Sequence, residues 1–314
     1  MPTVPGVLGP IDTRALGFTL MHEHVLVCNW SMRMAFERWL DRDALIARAV
    51  EEVRAAKQRG VATIVDLTPV NLGRDIHVIR EVAERTETNF IAATGFYWME
   101  EPWMDAYEVD ALVEWLLPDL ETGIQGTTSR AGIIKCATDH AGVTKKNEKL
   151  LQVAARLHRA SGAPISTHTS AHHRVGLGQQ DVFESEGVDL RRVVIGHCGD
   201  SEDLDYLEAI LRRGSTIGMD RFGLDVILPT KQRVDTIVEL CRRGFAKQMV
   251  LSHDAACHID WFPGDALRKA VPNWNFRHIP DDVVPALRAA GVVEADLAAM
   301  TVDNPRRIFE GAAA

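Results

Sequence analysis

Short apolar runs recur along the chain, and most are followed by a stretch in which apolar residues return every three or four positions. The first pattern suits strands and the second amphipathic helices. Several of the helix-to-strand junctions are punctuated. In AAKQRG before VATIVDL, HRASG before APISTHT, LRRG before STIGMD and CRRG before FAKQMVLSHD, a basic helix end meets a glycine. Glycine tolerates the left-handed turn that ends a helix, and the cations complement the helix dipole. The pattern predicts strands at 18–27, 62–67, 90–95, 131–137, 164–169, 193–197, 215–220 and 248–253. Helices are predicted at 43–59, 74–86, 149–161, 202–213 and 233–243, and the aromatic, proline-punctuated segment 255–280 reads as a long loop. Alternation of this count favours a single-domain (β/α)8 TIM barrel spanning 1–314. An open dinucleotide-binding sheet is the alternative, but no G-x-G-x-x-G follows the first strand.

At 314 residues the chain is long for one domain but ordinary for a closed barrel. Its 46% apolar and 25% charged residues fit a soluble globular protein. Lys plus Arg is 35 against 44 for Asp plus Glu, a net charge of −9, and no basic block is present. That balance disfavours nucleic acid and anionic membrane as partners. No basic-then-apolar leader opens the chain, and a cytoplasmic location is expected. The five cysteines, Cys28, Cys136, Cys198, Cys241 and Cys257, include no C-x-x-C pair and read as reduced core residues.

Barrel active sites form at the C-terminal strand ends, so polar residues there carry information. In TLMHEHVLV, His22 and His24 share one strand face and Glu23 points the other way. Two imidazoles on one face suit a metal, or else each is satisfied by an ordinary hydrogen bond. Other strand ends contribute Lys135, His168, His197 and Asp254. Lys135 stands alone among them as a cation in an apolar strand, open to two readings. It is half of a buried salt bridge, or it is an amine of lowered pKa that reacts with CO2 to give a carbamate able to bridge two cations. His172, His173, His258 and His278 lie away from strand ends and are expected to be solvent-facing loop residues.

The motifs TLMHEHV, GIIKCATD, PISTHT, VVIGHCGDSEDLDYL, GMDRFGLD and MVLSHDAACHIDW together resemble the phosphotriesterase family of the amidohydrolase superfamily, closest to the phosphotriesterase-like lactonases. The resemblance runs in order over nearly the whole chain. It implies a binuclear site in which His22, His24 and Asp254 hold one divalent metal and His168 and His197 the other. Carbamylated Lys135 would bridge them, and the ligand types accept Zn, Co, Mn or Fe. It also implies a homodimer, and Glu23 is left as structural.

Within the resemblance, Tyr97 and Arg221 match lactonase positions, Arg221 standing where dedicated phosphotriesterases carry histidine. As structural alternatives, Tyr97 packs a loop and Arg221 pairs with Asp200 or Asp220. Segment 98–110 departs from the lactonases in being acidic. Loop aromatics, Trp98, Phe222, Trp261 and Trp274 among them, suggest an apolar channel, with Cys257 beside it. The expected substrate is a small-molecule lactone or ester, with N-acyl homoserine lactones favoured and Asp254 moving the proton. The rival readings are a dedicated phosphotriesterase, a carboxylesterase, or a non-catalytic binding barrel.

Overall fold

The computed structural model describes residues 1–99, 101–262 and 266–311. An antiparallel hairpin comes first, β1 (Thr3–Gly6) and β2 (Gly9–Asp12). The barrel strands are β3 (Phe18–Val27), β4 (Val61–Asp66), β5 (Asn89–Gly95), β6 (Ala131–Ala137), β7 (Ile165–His168), β8 (Val193–Ile195), β9 (Thr216–Met219) and β10 (Met249–Leu251). Each pairs in parallel with the next. Helices such as Arg42–Lys57, Ile76–Thr86, Lys145–Ser161, Leu204–Arg212 and Thr230–Arg242 return the chain between them. The architecture is the (β/α)8 barrel that the alternation predicts.

The punctuation works as expected. Gly60, Gly162, Gly214 and Gly244 all adopt positive φ. Each lets the backbone leave a helix in a turn that a side chain would strain. Helix N-termini are capped by side chains, Asp41 Oδ1 accepting from Ala44 N–H at 3.0 Å and Asp75 Oδ1 from His77 N–H at 3.0 Å.

One strand lies where a loop is expected. Residues Ala256–Ile259 of the 255–280 segment form β11, which pairs in parallel with β3 and makes the sheet nine-stranded. Residues 263–265 of that segment lie outside the described residues. The barrel closes through the stretch between β10 and β11. His22 N–H donates to Ser252 Oγ at 2.9 Å, Asp254 N–H to the His22 carbonyl at 2.9 Å, and His24 N–H to the Ala255 carbonyl at 2.8 Å. Backbone groups of β3 are thereby satisfied without a β10–β3 ladder.

The core has two parts. Outward-facing strand residues such as Leu20, Ile64 and Phe90 pack under the helices. Inside the barrel, Met21, Val65, Ile91, Ile133, Val194 and Val250 fill the lower end. Val4 of the hairpin and Phe309 of the helix Asn304–Glu310 close that end from below. The five cysteines are free, all but Cys241 fully buried. Of the four spare histidines, His172 and His173 are exposed as expected and His258 is half-buried. His278 corrects the expectation. It is buried, bonded through Nδ1 to Asp282 and through Nε2 to Thr230, because it packs against the start of the helix Thr230–Arg242 and buried polar atoms need partners. No helix among the described residues is long and apolar enough to cross a membrane.

Candidate active site

Six residues predicted from strand ends meet at the upper mouth of the barrel. His22 and His24 leave β3 on the same face despite a register shift between Leu20 and Glu23. Lys135 projects from β6 and His168 ends β7, while His197 and Asp254 follow β8 and β10 in left-handed backbone, at φ +58° and +53°. Such conformations are costly for non-glycine residues and concentrate at functional sites. Gly95 is needed beside them, since a Cβ there would stand 1.9 Å from the Lys135 carbonyl oxygen.

Each imidazole is fixed by an outer partner. His22 Nδ1–H donates to Asp220 Oδ2 at 2.8 Å and His197 Nδ1–H to Asp220 Oδ1 at 3.0 Å. His24 Nδ1 bonds Thr68 Oγ1 at 2.8 Å, and His168 Nε2–H donates to Asp139 Oδ2 at 3.2 Å. These bonds place the hydrogen on the outer nitrogen of each ring, so the inner nitrogens present lone pairs. The inner atoms crowd together: His197 Nε2 lies 2.8 Å from His168 Nδ1, and the Nε2 atoms of His22 and His24 lie 3.2 and 3.0 Å from Asp254 Oδ1. His22, His24 and Asp254 form one trio of donors close enough to share an ion. A second trio, His22, His197 and Asp220, is a brace instead, because both Asp220 oxygens already accept from the two rings and from His197 N–H.

Lone pairs facing one another in a buried space repel unless a cation or proton lies between them. Protons are disfavoured here. Burial pushes the His22 and His168 imidazoles down to about 4, and that of His197 well below its usual value. Burial works to raise the Asp254 carboxyl, but its charged surroundings, the Arg221 guanidinium at 3.0 Å among them, outweigh it and hold it well below the usual carboxylate range. Neutral imidazoles held by outer carboxylates and, for His24, by the Thr68 hydroxyl, facing an ionised carboxylate, are the donor set of a divalent metal, and the residues fit it.

Lys135 is fully buried, with Nζ 3.0 Å from His22 Nε2 and 3.4 Å from the Thr167 carbonyl. No carboxylate among the described residues pairs with it, so the salt-bridge reading fails. Burial lowers its ammonium to about 8. Arg221 does pair with Asp200, at 3.0 Å, but its second partner is Asp254 Oδ2, also at 3.0 Å, and not Asp220. Tyr97 OH lies 3.2 Å from His168 Nδ1, at the site and not merely in a loop.

A cavity of about 380 Å³ opens above these groups. His22, His24, Lys135, Tyr97, Arg221 and Asp254 line its polar floor. Val27, Leu72, Leu224, Ile227, Trp261 and Trp274 line the apolar walls. Three residues expected at a substrate channel do not reach it. Phe222 points into the core beneath the helices, Trp98 turns toward His140, and Cys257 faces a different cavity.

Sequence reasoning missed the outer shell. Asp220, Asp139 and Thr68 are set by tertiary contact, although Asp139 and Asp220 stand within the quoted motifs. Glu23 is structural as expected, but structural at the site. Its buried carboxylate accepts from Ser252 Oγ, His253 N–H, His253 Nδ1–H and Ala255 N–H at 2.6–3.0 Å, clamping both sides of Asp254.

Comparison with known proteins settles the lineage. The family model described as the phosphotriesterase family matches residues 2–309. The chain belongs to the phosphotriesterase family. It is 48% identical to the phosphotriesterase homology protein of Mycobacterium tuberculosis, over 99% of this chain and 98% of the other. The solved structure of a phosphotriesterase from that organism superposes with TM-score 0.95 at 48% identity, covering 98% of both chains. An aryldialkylphosphatase of Saccharolobus solfataricus is 38% identical over 95% of this chain and 96% of its own length. A phospho-furanose lactonase of Mycoplasmopsis agalactiae is 26% identical over 96% and 90%. This phosphotriesterase-family hydrolase therefore has relatives named for both phosphoester and lactone cleavage.

Proposed function

We propose that the protein is a binuclear-metal hydrolase that opens lactones in preference to phosphotriesters, N-acyl homoserine lactones being the favoured substrates. The observation that carries the metal reading is the set of inward lone pairs, each locked by an outer hydrogen bond. His22, His24 and Asp254 would hold one divalent cation and His168 and His197 the other. Lys135, its amine partly uncharged near neutral pH, would attack CO2 through Nζ and lose a proton, leaving a carbamate between them. Cations bound there supply Lewis-acid polarisation of the ester carbonyl and bring the pKa of a water from about 15.7 toward about 7.

The chain's own residues do the rest. Asp254 is ionised at neutral pH, so its carboxylate takes the proton of the attacking water and returns it to the leaving alkoxide. Arg221 holds Asp254 Oδ2 and presents its guanidinium to the cavity. Tyr97 OH is placed to orient a planar carbonyl, and the apolar walls exclude water and take a substrate tail, at about 0.8 kcal/mol per methylene buried. Binding of that tail positions the reacting carbonyl.

The lactone preference rests on Arg221 and Tyr97 at the cavity floor together with the apolar walls. The test is kcat/KM on one metal-loaded preparation for N-acyl homoserine lactones of several chain lengths, simple γ- and δ-lactones and a p-nitrophenyl phosphotriester. Long-chain lactones should exceed bare rings by more than about tenfold. Phosphotriester turnover above every lactone would overturn the substrate claim and favour the second reading, a dedicated phosphotriesterase, which the aryldialkylphosphatase relative supports.

A further inference from the structure

On the far side of β11 from the active site lies a second cavity, of about 530 Å³, between the helix Arg42–Lys57 and the segment after β11. Its lining is unusual for this protein. The side chains of Arg48 and Arg277 make no hydrogen bond or ion pair among the described residues, whereas most arginines elsewhere are paired. Arg268 joins them, anchored through Nη2 to the Cys257 carbonyl at 2.9 Å. Glu52 has no partner among the described residues either. Three polar atoms sealed from solvent and without a partner among those residues, Glu52 Oε2, His258 Nε2 and Arg277 Nε, all belong to this one wall. Buried polar atoms are satisfied in the great majority of cases, so three orphans in one cavity mark a missing partner. The other acids on the wall are already engaged. Asp41 caps its helix, and Asp260 accepts from Asn29 N–H and Trp39 Nε1–H.

We propose that this cavity is a second ligand site, built for an organic carboxylate that carries a hydroxyl or amide N–H and an apolar chain. The guanidinium groups of Arg48, Arg268 and Arg277 receive the carboxylate, guanidinium being matched to that anion in shape and charge. Glu52 Oε2 accepts from the hydroxyl or N–H. Leu45, Val271 and Phe276 border the chain. The site does not rest on the reaction proposed above, although a hydroxy acid from an opened lactone has this chemistry.

Its place in the fold gives it a line to the active site. Ala256, Ile259, Phe262, Leu267 and Trp274 line both cavities, so the partition is a single layer of residues. Trp274 Nε1–H also donates to the His253 carbonyl at 2.8 Å, next to Asp254. A ligand behind β11 is therefore read by the Trp274 indole.

The test uses the whole metal-loaded protein and 4-hydroxydodecanoate as probe, with dodecanol and inorganic phosphate as comparisons, followed by calorimetry and tryptophan fluorescence. The hydroxy acid should bind and shift the fluorescence, with dodecanol and phosphate each at least about tenfold weaker. Arg48→Met and Arg277→Met should each weaken binding at least about tenfold, Arg277→Lys, which keeps the charge but not the planar fork, should weaken it less than Arg277→Met, and Asp254→Asn should leave it unchanged. Circular dichroism confirms that each variant folds. Binding unaltered by both arginine substitutions, binding lost in Asp254→Asn, phosphate binding as tightly as the hydroxy acid, or no binding of the hydroxy acid would each overturn the proposal.

Discussion

The two ends of the barrel are built from the same strands and obey opposite rules. On β6, Ile133 sits in the apolar lower interior, and two residues on, along the same face, Lys135 enters the ring of imidazoles. Below, every contact is self-sufficient, and the β1–β2 hairpin and the helix Asn304–Glu310 seal it. Above, imidazoles and a carboxylate crowd one another and two site residues, His197 and Asp254, sit in left-handed backbone. The lower end holds the fold together. The upper end is held in place against its own repulsion, and on the reading proposed above a bound metal would relieve it.

Lys135→Ala breaks that contrast most severely. Metal content by elemental analysis and turnover should both be lost, while melting of the metal-free chain stays the same or rises because a buried amine without a carboxylate partner is removed. A short-chain carboxylic acid should partly restore both. Full metal occupancy without rescue would end the bridging role. Asp254→Asn should lower kcat at least about a hundredfold, within the range of general acid–base groups, and near-normal kcat with metals bound would remove the proton assignment. At the opposite end, Ile133→Ala should cost about 2–5 kcal/mol in urea unfolding with kcat of the folded enzyme nearly unchanged. A kcat loss matching that of Asp254→Asn would show that the ends are not independent. Glu23→Gln should have the smallest effect, about 1–3 kcal/mol, since the amide keeps one acceptor but cannot serve both the Ser252–His253 side and Ala255 N–H. It should lower kcat while KM moves little.

What the sequence discloses divides along similar lines. Strand positions and helix stops were legible because period and glycine placement are local, and Gly60, Gly162, Gly214 and Gly244 all turn as their neighbours imply. The six inner residues were legible because strand ends in a barrel converge. The outer partners were not. Asp139 and Asp220 serve histidines 29 and 23 or more residues away, and nothing in spacing links Thr68 to His24. Residues Ala256–Ile259 were hidden as a strand because their partner, β3, lies at the other end of the chain. Cys257 and Phe222 were misplaced for a related reason, since nearness in sequence to a site residue does not say which way a side chain turns.

The seam that joins β3 to the stretch after β10 also sets a clock. His24 and Asp254 are 230 residues apart. A ribosome adding roughly 5–20 residues per second needs roughly 10–50 s to get from one to the other. For that interval the edge of β3 has no neighbour on one side, and the two histidines it carries have no carboxylate to face. A nascent chain therefore holds His22 and His24 without their carboxylate partner until Asp254 emerges. Barrel closure and completion of the His22, His24 and Asp254 trio are one event, and no fragment that stops short of Asp254, however well folded, can anticipate it.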